Sequence, residues 1–472
     1  MLEWVNTFLL GRTVPLCLMA GGVFFLIYLK GYPFRRPGAM FRAMTRKPPG
    51  EGISPFRAVT LALAGTLGVG NIVGVAGAVM MGGAGAIFWM WVSALAAMIL
   101  KYAEIVLAVG HRRTAPDGHR FGGAYYYMKD FFSVRKLPRL GVAVGGIFAV
   151  LCILDAFSMG CVVQINAVSR SFLGVMGVPT WVTGAVIAVI TYLLIVRGTH
   201  GIAAVTEKLV PLMTLVYLIL SVAVIVICRD RIGGVFGSIF REAFSPMSAV
   251  GGVFGFFTSR AVRFGTMRGL ISNEAGCGTA PTAHASANTD SPAEQGFWGI
   301  FEVFVDTILL CTVSALVLLL GYDSVKGYAP DGMLMSIRAY SQVLGGWSEY
   351  VVAFAVLFFG FATLVCWANY GAECVRFLSG SPFFRNLYLV LFAGCVLLGS
   401  VVAPESVWTL ADLSIGLMTL LNVAMLFLMR REIRDGTACY FSVKLSRKRS
   451  GEEKRHTRES HPHTRDEVPD RC

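Results

Sequence analysis

Charged residues are scarce in this chain: Asp, Glu, Lys and Arg make up 15% of its 472 residues, where a soluble domain carries about a quarter. Hydrophobic residues fill the gap at 55%, with a mean hydropathy of +0.65, which argues against a soluble fold. Also missing is any C-x-x-C pair among the eleven cysteines, so neither a disulfide framework nor a zinc site is indicated. Cys17, Cys152, Cys161, Cys311, Cys366 and Cys395 lie inside apolar stretches and read as small buried hydrophobes. No nucleophile–base pair, phosphate-binding glycine loop or carboxylate dyad at catalytic spacing stands out, so neither an enzyme nor an organic cofactor is expected. The net charge of +13 does not point to nucleic acid, because the basic residues fall in loops between apolar runs and in the tail. The first apolar run also lacks the marks of a cleaved signal. Glu3 and Arg12 precede it, Lys30, Arg35 and Arg36 follow it, and no small-residue cleavage site is evident. It is expected to remain as a helix.

What the chain does have is a series of apolar runs, each of about twenty residues or so and long enough to cross ~30 Å of hydrocarbon. Eleven fall at about Val14–Leu29, Pro55–Val79, Ala86–Val109, Gly141–Val168, Trp181–Val196, Val205–Cys228, Val250–Ala287, Gly296–Leu320, Val351–Phe377, Leu387–Val402 and Val407–Met429. The expected fold is an all-α integral membrane protein of about eleven transmembrane helices. Orientation follows from the basic loops. Arg42, Arg46 and Lys47 lie after the first run, and Arg112, Arg113, Arg120, Lys129, Arg135, Lys136 and Arg139 after the third. The Gly82, Gly83, Gly85 and Glu405 turns carry no Lys or Arg. A multi-pass protein of the plasma (inner) membrane is expected, with the N-terminus outside and the C-terminus in the cytoplasm. The tail from Arg430 to Cys472 mixes basic and acidic residues, has almost no apolar content after Leu445, and is expected to be largely disordered, from that point on.

Two runs do not read as plain helices. The second contains Gly65-Thr66-Leu67-Gly68-Val69-Gly70-Asn71-Ile72-Val73-Gly74, and each interior glycine costs roughly 0.5–1 kcal/mol relative to alanine. Close packing through Gly70 and Gly74 is one reading; Asn71, a mid-membrane amide that needs a partner, favours a break. The seventh contains Ser272-Asn273-Glu274-Ala275-Gly276-Cys277-Gly278-Thr279-Ala280-Pro281, with an acid, amide, glycines and proline at membrane depth. Setting the first run aside leaves ten, and the interrupted ones head each five. Five is odd, so the halves cross in opposite senses: a 5+5 inverted repeat with broken helices at corresponding positions, the signature of a midplane site in a secondary transporter. Freed amides there bind a carboxylate, and freed carbonyls bind Na⁺ or an ammonium group. The expected division is 1–54, an extra helix and loop; 55–429, a core with repeats at about 55–228 and 250–429; and the tail, 430–472.

At these stretches the chain closely resembles the alanine or glycine:cation symporter family. The likeness runs from Gly65 to Ile72, through Gly83, Ala86 to Val92 and Lys101 to Glu104, then Gly122-Gly123, Tyr126-Tyr127, Gln164, Asn166 and Glu207 to Pro211. It is most specific at Arg268-Gly269-Leu270 and Ser272 to Gly276, on to His284 and Thr289-Asp290. The resemblance implies a leucine-transporter-like fold, sodium as coupling ion, and alanine or glycine as substrate. Val69, Cys277, Thr279 and the Trp367-Ala368-Asn369-Tyr370-Gly371 stretch with Glu373 depart from the family pattern, which bears on substrate choice more than on mechanism.

On this reading the substrate carboxylate rests on amides near Gly68, Val69, Gly70 and Asn71. Its ammonium faces carbonyls around Glu274 and Gly276 and the side-chain oxygen of Gln164, while Cys277, Phe361 and Trp367 limit side-chain volume. Thr363, with the carbonyls of Ala64 and Leu67, would ligate sodium, unless it bonds its own helix. Asp155 is a lone carboxylate in an apolar run whose role stays open. Lys101 and Glu104 are spaced to pair on one helix face. The expected function is sodium-coupled symport of a small neutral amino acid into the cell by alternating access, with the lipid bilayer as surroundings. A proton-coupled carrier and a non-transporting sensor or channel are the alternatives.

Overall fold

The computed structural model describes residues 13–35, 37–45, 52–116, 118–244, 260–325, 332–402 and 405–441. The basic residues Arg46 and Lys47, and the tail beyond residue 441, lie outside them. Almost everything described is helical. The opening helix α1 (Val14–Tyr28) is followed by α2 (Pro55–Thr66) and α3 (Val75–Gly82), with a π-helical turn, Gly70–Gly74, between them. Pro55 supplies the first helical position of α2, and Ser54 caps it by accepting from the Arg57 amide at 3.1 Å. The axes before and after the Leu67–Val69 interruption differ by 54°, as the glycine density predicts.

Next come α4 (Gly85–Gly110), a short hairpin of β1 (Arg113–Thr114) and β2 (Arg120–Phe121), and α5 (Ala124–Val134). Then follow α6 (Pro138–Met176), α7 (Thr180–Ile195), α8 (Gly198–Ile227) and α9 (Arg229–Ala243). The second interrupted pair is α10 (Arg260–Asn273) and α11 (Ala280–His284). The remainder is α12 (Pro292–Gly321), α13 (Gly332–Leu344), α14 (Trp347–Ser379), α15 (Pro382–Gly399), α16 (Glu405–Leu428) and α17, residues 430–441.

Seven of these helices are long and apolar enough to span a bilayer, or eight when α2 and α3 count as one bent span. The two other apolar helices, α1 and α7, have only 15 and 16 residues, and the start of the Val250–Ala287 run precedes the described part of α10. These account for the distance from the expected eleven. Between the two halves of the second pair the chain turns through left-handed conformations at Glu274 (φ 50°), Gly276 (φ 81°) and Gly278 (φ 82°). Glycine adopts these freely; Glu274 does so at a cost.

Three features were not legible as apolar runs. The amphipathic helices α5, α9 and α13 have a single buried face each. Both α6 and α12 carry a π-helical stretch, at Ser158–Val163 and Phe304–Cys311, a form that concentrates at functional positions. Last, residues 430–441, the start of the basic tail and ahead of Leu445, where disorder is expected to begin, form α17. Its stripe of Ile433, Thr437 and Phe441 repeats every four residues, and all three are buried. Tyr102 Oη donates to Thr437 Oγ1 at 3.1 Å, and the Phe297 ring meets Tyr440 and Phe441.

A polar clamp joins the end of α4 to α5 and α17. His111 Nδ1 lies 3.0 Å from Asp130 Oδ2 and its Nε2 lies 2.9 Å from Glu432 Oε2, while Arg113 donates to Asp130 Oδ1 at 2.5 Å. Burial opposes the charged imidazole, but hydrogen bonds and charge from the two carboxylates outweigh it and push His111 up to about 9. Burial likewise opposes the Asp130 carboxylate, and His111 and Arg113 outweigh it, holding Asp130 below its usual range. A histidine raised by folding stabilises fully below its unfolded value and loses that contribution as pH climbs through the folded one. The aspartate contribution is lost only on strong acidification. The melting temperature of the purified protein is therefore expected to fall between about pH 6.5 and 9. His111→Asn should flatten that alkaline limb, by roughly a few degrees.

Candidate substrate and sodium site

Where α2 ends, its backbone is held by α6 and α14. A Cβ built on Gly68 would lie 2.8 Å from both Gln164 Oε1 and Thr363 Oγ1, so only glycine fits that crossing. Beside it the Val69 amide donates to Gln164 Oε1 at 3.0 Å, and Gln164 Nε2 donates to Met159 O at 3.2 Å within the π-helical stretch of α6. From α14, Thr363 Oγ1 is 3.0 Å from Ala64 O and equally from Phe359 O of its own helix. Cys366 Sγ reaches Leu61 O at 3.0 Å. Leu67 is buried, and its amide closes the last turn of α2 onto Leu63 O at 2.7 Å. Three residues along, a Cβ on Gly70 would meet nothing within 4 Å.

Asn71 carries the link between the two breaks. Its Nδ2 donates to Asp306 Oδ1 at 2.7 Å and lies 3.1 Å from Ser272 Oγ at the end of α10. Ser272 and Thr307 hydroxyls each donate to Asp306 Oδ2 at 2.7 Å, and Asn273 Nδ2 donates to Thr307 Oγ1 at 3.1 Å. All five side chains are buried, and Asn71 Oδ1 has no hydrogen-bond partner. Asp306 belongs to the π-helical stretch of α12. Sequence reading passed over it, although a lone acid inside the apolar run Gly296–Leu320 is the signal that would have found it.

The second break is braced from another direction. Asn422 of α16 donates to Gly276 O at 2.9 Å and to Glu104 Oε2 at 3.0 Å, and the Gly278 amide also donates to Glu104 Oε2, at 3.2 Å. Tyr127 Oη donates to the Asn422 carbonyl oxygen. A Cβ on Gly276 would strike Leu18 of α1, and Cys277 Sγ accepts from Thr419 Oγ1 of α16 at 3.2 Å. Gly276 and Cys277 are thus turned toward α1, α4 and α16 rather than toward Gly68–Asn71. Glu274, by contrast, is held in the break by Thr279 Oγ1, which donates to its Oε2 at 2.7 Å.

On α14, Trp367 is fully buried against the π-helical stretch of α6, where a Cβ on Gly160 would overlap its ring. Its Nε1 has no partner. Phe361 does not join it. Two residues before Thr363 is about 200° around a helix, which places Phe361 on the side of Phe354 and Phe358, 44% and 41% exposed. Lys101 and Glu104 do not pair either. Lys101 instead bonds Glu302, 201 residues away in sequence, at 3.1 Å, and Glu302 in turn meets His284 Nε2 at 3.0 Å.

A helix interrupted at mid-span, with buried polar side chains converging on it from four other helices, defines a secondary transporter of the broken-helix class. Comparison with known proteins agrees. The chain belongs to the sodium:alanine symporter family, whose profile matches residues 1–456. It is 34% identical over 439 residues to the uncharacterized transporter YflA of Bacillus subtilis, covering 92% of this chain and 91% of that one. It is 33% identical over 452 residues to the sodium/alanine symporter AgcS of Methanococcus maripaludis, covering 93% and 96%. Among solved structures, a manganese transporter of Eremococcus coleocola superposes with a TM-score of 0.53 at 14% identity, over 80% of this chain and 78% of that one. That likeness concerns the fold alone.

Proposed function

We propose that the protein carries a small neutral amino acid, alanine or glycine, into the cell together with sodium by alternating access. The observation that carries this reading is the buried oxygen cluster around Asn71 and Asp306. It offers a carboxylate, two hydroxyls and an unpartnered amide oxygen, a hard all-oxygen set suited to Na⁺. Among the ion pairs of the described residues none involves Asp306, so a mobile cation is the natural counter-charge. The Ala64 carbonyl and Thr363 hydroxyl, with the neighbouring Leu67 carbonyl, form a second sodium position.

Gln164 Oε1 stands on the Val69 amide as one carboxylate oxygen of an amino acid would. An incoming substrate takes over that amide and the turn Gly68–Asn71, leaving Gln164 Oε1 and Glu274 to receive its ammonium group. Gly276 and Cys277 face away, and Phe361 is a partly buried core residue on another face of α14 from Thr363, so volume selection rests on Trp367 and Val69. Trp367→Ala is then expected to let leucine and valine compete with alanine uptake, which they do poorly against wild type. The buried deletion costs about 3–5 kcal/mol, so competition is best read as a ratio at matched protein levels.

The test is uptake of labelled alanine or glycine into proteoliposomes. It should be driven by external Na⁺ and an inside-negative potential, since each net charge moved gains ~2.3 kcal/mol per 100 mV, nearly a fiftyfold accumulation. Equal uptake with choline in place of sodium, and no response to voltage, would overturn the reading. Uptake that follows a pH gradient instead would make the protein a proton-coupled carrier, and substrate binding without flux would make it a sensor.

A further inference from the structure

Asp155 takes no part in the site described above, yet it is as buried as any residue in the chain. It lies near the middle of α6, with no exposed surface. Ser414 Oγ of α16 donates to its Oδ1 at 3.0 Å, and Ser158 Oγ, at the start of the π-helical stretch, approaches the same oxygen at 3.5 Å. Its other oxygen, Oδ2, is buried without a partner. The charged side chains that bear on it are themselves carboxylates, Asp412 on α16 and Glu274 at the second break. Hydroxyl donors satisfy one oxygen and leave the other bare. A carboxylate sequestered in that way is costly unless a cation neutralises it; the buried Arg268 bears on Asp412, and Asp155 Oδ2 is left without a partner.

From these observations we infer that Asp155, Ser158 and Ser414 form a further sodium site, distinct from the Asn71–Asp306 cluster and from Thr363. Its ligands come from two helices that are distant in sequence. A bound ion would draw the carboxylate and both hydroxyls onto itself, using the orphaned Oδ2, and so clip α16 to α6. All the donors are oxygens, which suits a hard monovalent cation and disfavours the softer transition metals. The inference rests on the sodium-coupled reading proposed above, and its failure is separable from the failure of that reading.

The experiment measures the ratio of ²²Na⁺ to labelled alanine entering proteoliposomes that contain the full-length protein. Asp155→Asn, close in shape but uncharged, should lower the ratio by one sodium per alanine while leaving uptake sodium-dependent. Under a tenfold Na⁺ gradient each coupled ion contributes about tenfold to accumulation, so the variant should concentrate alanine about tenfold less. Ser414→Ala, a smaller change that guards against misfolding of the first variant, should raise the sodium concentration for half-maximal uptake severalfold without altering that for alanine. An unchanged flux ratio in Asp155→Asn, or an unchanged sodium dependence in Ser414→Ala, overturns the inference. So does a wild-type uptake that acidifies the vesicle lumen and loses this acidification in Asp155→Asn, which would make the group a proton carrier. Absence of sodium-driven uptake in the wild type defeats the broader proposal instead.

Discussion

Replacement of Asp306 by asparagine is expected to remove sodium-driven uptake almost completely while leaving the protein folded. The asparagine side chain has nearly the same shape: its oxygen can keep accepting from Asn71, while its amide nitrogen takes the place of Oδ2, where the Ser272 and Thr307 hydroxyls must turn to accept from it. What it lacks is charge. Withdrawing one partner from a buried charge pair costs about 3–5 kcal/mol, which at 1.4 kcal/mol per decade is at least a hundredfold in apparent sodium affinity. The protein alone should be no less stable, because a buried carboxylate without a cation is replaced by a neutral amide. A melting curve at low sodium therefore separates loss of the ion from loss of the fold. Sodium should raise the melting temperature of the wild type and leave that of Asp306→Asn unmoved. Equal sodium stabilisation of both proteins would remove Asp306 from the ion site.

The second large effect is expected at Gly70. A glycine in a glycine-rich helix is ordinarily kept for close packing, and Gly70 and Gly74 have the spacing of such a pair. In that case leucine would disrupt the fold. Yet a Cβ on either residue would meet nothing within 4 Å, so the space beside Gly70 is open and not a packing contact. Gly70→Leu should consequently fold normally, with a gain in helix propensity of up to about 1 kcal/mol. It should nevertheless bind no alanine, because the side chain occupies the place assigned to the substrate. Gly68→Ala behaves differently: its methyl runs into Gln164 and Thr363, so both stability and binding should suffer. Binding measured by isothermal calorimetry on purified protein, alongside melting temperatures, tells the two apart. Retained alanine binding in Gly70→Leu would place the substrate elsewhere.

The interruptions themselves were legible in the sequence because they violate local rules. Glycine density around Asn71, and an acid, amide and proline after Ser272, cannot be read as lipid-facing helix. Which way the second break faces was not legible. Three left-handed residues, at 274, 276 and 278, reorient the chain after Asn273, and a wheel drawn from α10 loses its phase there. That is why Gly276 and Cys277 were assigned to the pocket and face α16 instead. Phe361 was misplaced for a simpler reason: its residue type suggested a wall, while its position two residues before Thr363 puts it across the helix. Partners far apart in sequence, such as Lys101 with Glu302 and Asn71 with Asp306, cannot be chosen from spacing at all. By contrast, the sequence carries a signal for α17 in the four-residue period of Ile433, Thr437 and Phe441, ahead of Leu445, where disorder is expected to begin.

The two interruptions are not equivalent joints. At the second, Asn422 and Glu104 occupy the Gly276 carbonyl and the Gly278 amide, and the Asn273 side chain takes the Ala275 amide. At the first, Gly70 and Gly74 leave one side of the chain untouched. Under load the stiffness of this molecule is therefore lopsided. Bending is expected at Gly70–Gly74, beyond the Gly68–Val69 crossing that Gln164 and Thr363 hold, while the turn between α10 and α11 is expected to act as a fulcrum locked to α4 and α16. An inverted repeat suggests mirror-image mechanics, with either half free to lead. Here the two interruptions differ in what holds them, and the two openings of the carrier should differ in the element that yields.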